Sequence, residues 1–235
     1  MNEYYQKRQS KYLKKLSKQY SYAKNDLESL FGVPYVDLLE EAKEIFVCEL
    51  LEDIPYIGAN NQHEIDLVDS CYWVALFIAG KNHNIPPEKI GRLMTDVYEK
   101  MYGGIPKFLV KAVRCIAGKG FFQKLLKLYT ASHKKSAAKY RYAWDYEYKQ
   151  PNAEYSHKMV CVRCGFAMYM QEKNLTEYMP YICNLDYLIF GKMGLPLYRN
   201  KVIGYGDDVC TMYFKLDENI PNAWPPHGLS DDGLK

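Results

Sequence analysis

Tyr140-Arg141-Tyr142-Ala143-Trp144-Asp145-Tyr146-Glu147-Tyr148 is the stretch at which the hydrophobic period of the chain changes. Aromatic residues alternate there with charged or small ones, the two-residue period of a β-strand with one aromatic face. Gln150-Pro151-Asn152 follows as a turn, and residues 155–162 read as an antiparallel partner. Downstream, helices are expected over 165–173 and 176–191. A second hairpin, 197–203 with 208–216, is expected around Gly204-Tyr205-Gly206. The tail after Asp217, rich in Pro, Gly and Asp, is expected to be irregular, with Trp224 as its anchor.

Upstream of that switch the period is helical. Residues 4–30 read as a basic amphipathic helix with Tyr5, Leu13, Leu16, Tyr20 and Leu27 inward, ending near Gly32. Asp37 with Glu40 has the spacing of a capping box for the next helix. A helix over 64–79 presents Val68, Cys71, Tyr72, Ala75 and Ile78 on one face and stops at Gly80. Pro86-Pro87 opens another, with Ile90, Leu93, Met94, Val97 and Met101 as its inward stripe. Two shorter helices, 106–117 and 120–134, are expected to turn Phe108, Leu109, Val113, Phe121, Leu125 and Leu128 inward, with His133 at a solvated end.

Helices first and then a ββααββ succession predict an α+β fold with an antiparallel sheet of about four strands. The expected division is a helical region 1–136, an α+β region 137–216 and an irregular tail 217–235. At 235 residues the chain is long enough for one or two cores. The N-terminus has no apolar signal segment, no apolar run approaches bilayer length, and seven cysteines are widely spread. These features place the expected compartment in the reducing cytoplasm, with no membrane partner.

The net charge of +3 conceals an asymmetry: from Lys100 to Arg141 there are eleven Lys or Arg and no acid. Acidic residues are concentrated in 26–70, so packing of basic beside acidic helices, or simple solvation, accounts for the block. No nucleic-acid motif accompanies it, and no nucleic-acid partner is expected. The oligomeric state is not legible.

The chemistry-bearing residues fall between Met159 and Phe214. Cys161-x-x-Cys164 with Cys183 and Cys210 offers four thiolates, the number a structural zinc takes. Twenty-six residues separate Cys183 from Cys210, however, which is not the paired spacing of such sites. No metal or other cofactor is therefore expected, with a thiophilic ion such as zinc as the minority reading. Cys183, Asp186 and Tyr187 share one face of a predicted helix, and Arg199 is the candidate partner of Asp186. Cys210, Met212 and Phe214 point inward from the last strand, while Asp207 and Asp208 either serve a thiol or water or fix the turn. Cys71 and Cys115 lie on apolar helical stripes and are expected to be buried and inert.

The succession Val162-Arg163-Cys164, a helix, Cys183-x-x-Asp186, Arg199 entering a strand, and Gly206-Asp207-Asp208-x-Cys210 resembles the L-2-amino-thiazoline-4-carboxylic acid hydrolase family over residues 140–216. The resemblance implies a hydrolase that opens a thiazoline ring to give an N-carbamoyl-cysteine, acting on a small-molecule substrate. It places Cys164, Cys183, Asp186, Arg199, Gly206 and Cys210 at the family's marked positions. Gly165 stands where it implies a proline, and Thr211-Met212-Tyr213 departs from its acidic-then-aromatic pattern. The candidate nucleophile is Cys210 or Cys183 and the candidate proton carrier Asp186 or Asp208. Arg199, Gly206, Cys164 and Tyr187 are the candidate substrate contacts. The alternative is a binding domain without turnover that holds a small molecule or a metal.

Overall fold

The computed structural model describes residues 2–222 and 224–226. The chain forms two compact units, Met1–Met101 and Tyr102–Leu229.

The first unit is helical: α1 (Glu3–Gln6), α2 (Gln9–Ser21), α3 (Lys24–Phe31), α4 (Tyr35–Ile45), α5 (Glu64–Asn82) and α6 (Pro87–Tyr102). The single helix expected over 4–30 is three, broken at Lys7-Arg8 and Tyr22-Ala23, where no Gly or Pro announces a break. Packing decides those breaks: Tyr5, Tyr12, Leu16, Tyr20 and Leu27 all reach the core, while Leu13 stays half-exposed. Gly32 ends α3 in the left-handed region at φ 67°, the conformation glycine adopts without a Cβ clash.

Asp37 does not cap α4. The helix begins two residues earlier behind Pro34, and the Tyr35 N–H, one of the donors a helix start leaves unpaired, goes to Glu28 Oε1 at 3.0 Å. α4 runs on into a π-helical turn, Phe46–Leu51. α5 is buried almost all round and does not stop at Gly80. A Cβ on Gly80 would come within 2.1 Å of Ile90 Cδ1, so this glycine serves the close approach of α6 and not a cap. Along α6 Ile90, Leu93, Met94 and Val97 of the expected stripe are buried, and Met101 at its end is half-buried.

The second unit is an α+β layer. Its elements are α7 (Lys107–Ala117), α8 (Gly120–Lys139), β1 (Asp145–Lys149), β2 (His157–Arg163), α9 (Gly165–Glu172), α10 (Met179–Lys192), β3 (Leu197–Tyr198) and β4 (Cys210–Phe214). The four strands pair antiparallel in the order β1-β2-β4-β3. Cys161 sits opposite Cys210 in the β2–β4 ladder, and Tyr146 opposite Cys161 in the β1–β2 ladder.

α7 and α8, read from sequence as the end of the helical half, belong to the sheet's unit. α8 covers β1 through aromatic contacts: His133 is buried, its ring 4.3 Å from that of Tyr129 and 5.3 Å from that of Tyr146. The solvated end expected at His133 is therefore wrong, because α8 continues beyond it to Lys139. His157 on β2 hydrogen-bonds the Ala117 carbonyl at 2.7 Å, and Arg114 donates to the carbonyls of Leu216 and Glu218.

The larger correction concerns the faces of α7 and α8. Phe108 is 69% exposed and Leu128 68%, and Leu109, Ile116, Phe121 and Leu125 are exposed as well. The residues that turn inward are Ala117, Leu126, Thr130, His133 and Ala137. Both helices carry an apolar stripe, and the one that packs is the smaller and more polar of the two.

β1 is shorter than the nine-residue alternation suggests. Residues 140–144 form a turn, with a register shift between Asp145 and Tyr146. The second hairpin is also reduced: β3 has two residues, and the chain between Tyr198 and Cys210 makes a wide excursion with a 3-10 turn, Ile203–Tyr205. Thr211 holds the start of that excursion, its Oγ1 accepting from the N–H groups of Asn200 and Lys201 at 3.1 Å each. Beyond Asp217 the described residues form no helix or strand, and residues 227–235 lie outside the description.

Candidate functional site

The excursion between β3 and β4 faces the N-terminal end of α9 and the start of α10 across a cavity of about 840 Å3. This lies within the range typical of small-molecule sites. Its wall includes Arg163, Cys164, Glu177, Gly206, Asp207 and Asp208. All belong to the second unit.

Cys164 is the residue before α9. Its backbone is extended, and its sulfur accepts the Ala167 N–H at 3.4 Å, as an N-cap side chain does. Gly165 makes that placement possible. A Cβ there would fall 1.7 Å from the Tyr142 carbonyl oxygen, so neither alanine nor the family's expected proline fits the same backbone. The thiol experiences opposing influences. Burial pushes it up to about 12, while the backbone N–H groups of Ala167 and Phe166 pull it down.

Cys183 and Cys210 stand behind the cavity wall. Cys183 Sγ packs against Gly204, where a Cβ would approach it to 2.5 Å. Cys210 is buried, and its sulfur accepts the Ile203 N–H at 3.2 Å. Burial raises both thiols and outweighs the lowering effect of the Arg199 guanidinium, so both are held as neutral thiols. Cys161, the remaining sulfur of the motif, is buried in β2 and raised by the same cause.

Arg199 and Asp186 form the expected ion pair. The guanidinium side chain is only 3% exposed, and Nη1 also donates to the Cys183 carbonyl at 3.0 Å. Burial alone would lower Arg199, but the carboxylate of Asp186 and the neighbouring Cys183 hold it above its ordinary value. The Tyr187 ring lies 5.6 Å from the guanidinium carbon. The Nε atom of Arg199 is buried with no hydrogen-bond partner. Arg199 is thus committed to α10, and the cation on the cavity wall is Arg163. Its Nε donates to the Ala143 carbonyl at 3.1 Å and its Nη2 to that of Ala137, which fixes the plane of the guanidinium.

Asp207 and Asp208 separate in role. Asp207 Oδ2 accepts the Val202 N–H at 2.7 Å and closes the excursion, with Gly206 left-handed at φ 99° beside it. Asp208 is exposed and pairs with Lys201 at 2.8 Å, which lowers its carboxyl. Among the described residues, no group of three or more His, Cys, Asp or Glu side chains is arranged to hold a metal ion.

A family model for L-2-amino-thiazoline-4-carboxylic acid hydrolase matches residues 69–214. The chain belongs to that family. The match reaches back past the motif region 140–216 into α5 and α6 of the first unit, helices in which the sequence shows only core-forming stripes. No curated protein and no solved structure matches the chain. Within the thiazoline-hydrolase family's motif order, Cys164 and Gly206 reach the cavity wall, and Cys183, Asp186, Arg199 and Cys210 form the layer behind it. Sequence reasoning did not single out Arg163 and Glu177 for the wall. Arg163 had a signal in its place inside Cys161-x-x-Cys164, whereas Glu177 had none.

Proposed function

We propose that the chain is a hydrolase that opens a small cyclic amidine or thiazoline in this cavity. The reference reaction is conversion of L-2-amino-thiazoline-4-carboxylate to N-carbamoyl-L-cysteine in the cytoplasm. The observation that carries the reading is the thiol of Cys164, held at the first turn of α9 on a cavity wall that also bears a guanidinium and three carboxylates. Family membership supplies the reaction class.

Ring opening requires addition at the carbon bonded to sulfur and two nitrogens, then cleavage of its bond to the ring sulfur. In this proposal Cys164 adds to that carbon, and its proton passes by way of a wall carboxylate to the ring nitrogen. The ring carbon–sulfur bond then breaks, and the expelled sulfur takes up a proton. Water adds to the same carbon, the bond to Cys164 breaks, and the urea product leaves with one water consumed. A thiol raised to about 12 needs a base at hand, and Glu177 and Asp207 are the wall carboxylates that serve. Arg163 takes the substrate carboxylate, a planar fork matched to a planar anion. Cys183, Cys210, Asp186 and Arg199 then act as positioning residues.

The test is release of free thiol from the thiazoline by purified protein, followed with a thiol-reactive dye. Turnover by wild type with loss in Cys164→Ala, and retention of part of the activity in Cys210→Ala, supports the assignment. No turnover of this or any related cyclic amidine sinks it. Full activity in Cys164→Ala returns the nucleophile to water or to another thiol. Saturable binding of the thiazoline without thiol release identifies a binding domain instead.

A further inference from the structure

The exposed apolar stripes of α7 and α8 lie within the most basic part of the chain. Phe108, Leu109, Ile116, Phe121, Leu125 and Leu128 are exposed, a dense run for a stretch of twenty-one residues. At 100° per residue, Phe121, Leu125 and Leu128 fall on the side of α8 opposite to its buried Leu126, Thr130, His133 and Ala137. Eight exposed lysines lie between 107 and 139, seven on the same two helices and Lys119 between them, and no acidic residue occurs from Lys100 to Arg141. Lys124 and Lys135 flank the apolar stripe of α8 on one edge.

We propose that the α7–α8 face docks on an anionic lipid surface, with both helices lying in the plane of the headgroups. The occupant must accept large apolar side chains and neutralise many cations at once. A bilayer carrying acidic headgroups does both: Phe and Leu side chains enter the acyl boundary, and the lysine stems extend outward to the headgroup charge. A nucleic acid would neutralise the lysines but would leave the leucines and phenylalanines without a partner. A second copy of this chain would bring sixteen lysines together with no acid between them. Among the described residues no helix is long and apolar enough to cross a membrane, and the proposed contact is a peripheral one. The expectation of no membrane partner rested on the lack of a bilayer-length apolar run, which a peripheral contact does not require.

The experiment is co-sedimentation of the full chain with vesicles of phosphatidylcholine alone and of phosphatidylcholine containing phosphatidylserine, at low and high salt. Binding is expected only to the phosphatidylserine vesicles, falling as salt rises. F121S/L128S should weaken it about a hundredfold and K124Q/K135Q about thirtyfold. All four side chains are exposed, so thermal melts of both variants should match wild type, and either variant alone suffices if the other fails to fold. Three results overturn the proposal: no association with phosphatidylserine vesicles, association that F121S/L128S leaves unchanged, or a lipid-independent dimer that this variant dissolves.

Discussion

Arg199 and Asp186 make an ion pair that is buried on one side only: the arginine side chain is 3% exposed and the aspartate 41%. The asymmetry sets the cost of breaking the pair. Asp186→Asn leaves a guanidinium buried without its counter-charge, whereas Arg199→Met leaves a carboxylate that water can reach. Asp186→Asn is therefore expected to cost about 2–3 kcal/mol and Arg199→Met about 1–2 kcal/mol. Urea unfolding of the two variants checks the order. A larger loss for Arg199→Met would show that packing of the arginine, not its charge, matters.

Gly165→Ala places a methyl group against the backbone carbonyl of Tyr142, which cannot rotate away as a side chain would. The expected cost is about 2–3 kcal/mol, with a shift of Cys164 relative to α9. Gly206→Ala meets nothing within 4 Å, but its φ of 99° is strained for any residue with a Cβ, and about 1 kcal/mol is expected. Thermal or urea unfolding should rank Gly165→Ala as the worse of the two.

In the first unit, Asp69 accepts from Gln19 Nε2 at 3.2 Å through one oxygen, while its other oxygen is buried with no partner. Burial pushes its carboxyl up to about 6, against the opposing pull of Lys15. A carboxyl raised on folding favours the folded state while protonated. Its contribution is thus full below the unfolded value near 4 and is lost as pH rises through about 6, on the order of 3 kcal/mol in all. Asp69→Asn should be more stable than wild type at pH 8 and should flatten the fall between these values. A wild-type stability that is level from pH 4 to 7 would contradict this.

Thiol reactivity should follow exposure first. Cys48 and Cys115 are exposed and are expected to alkylate fastest at neutral pH. Cys164, on the cavity wall, should come next, and Cys71 and Cys161, buried and raised by burial, last. Peptide mapping after brief alkylation reads the order directly. The sequence reading placed Cys115 on an inward stripe, and rapid labelling there follows from the reversed faces of α7. Protection of Cys164 by the thiazoline substrate would tie this order to the proposed chemistry.

The sequence by itself determined what depends on local period and backbone chemistry. The alternation around Tyr146 predicts a strand, the stripe Ile90-Leu93-Met94-Val97-Met101 predicts a helix, and Gly32 predicts a stop; each element holds in the fold, with the first four residues of the stripe buried. The short motifs were equally legible, since Asp186 and Arg199 carry opposite charges that an apolar setting must pair. Tertiary structure alone decided which face of α7 and α8 packs, because hydrophobicity marks the exposed stripe and only the shape of β1 and its aromatic neighbours selects Leu126 and His133 over Leu125 and Leu128. It alone separated the cysteines as well. The sequence names Cys210 or Cys183 as nucleophile and Cys164 as a substrate contact, and the difference between the three thiols in the structure is geometric. One caps α9 at the cavity wall, and two lie behind a turn whose glycine, Gly204, lets the backbone pass directly over a sulfur.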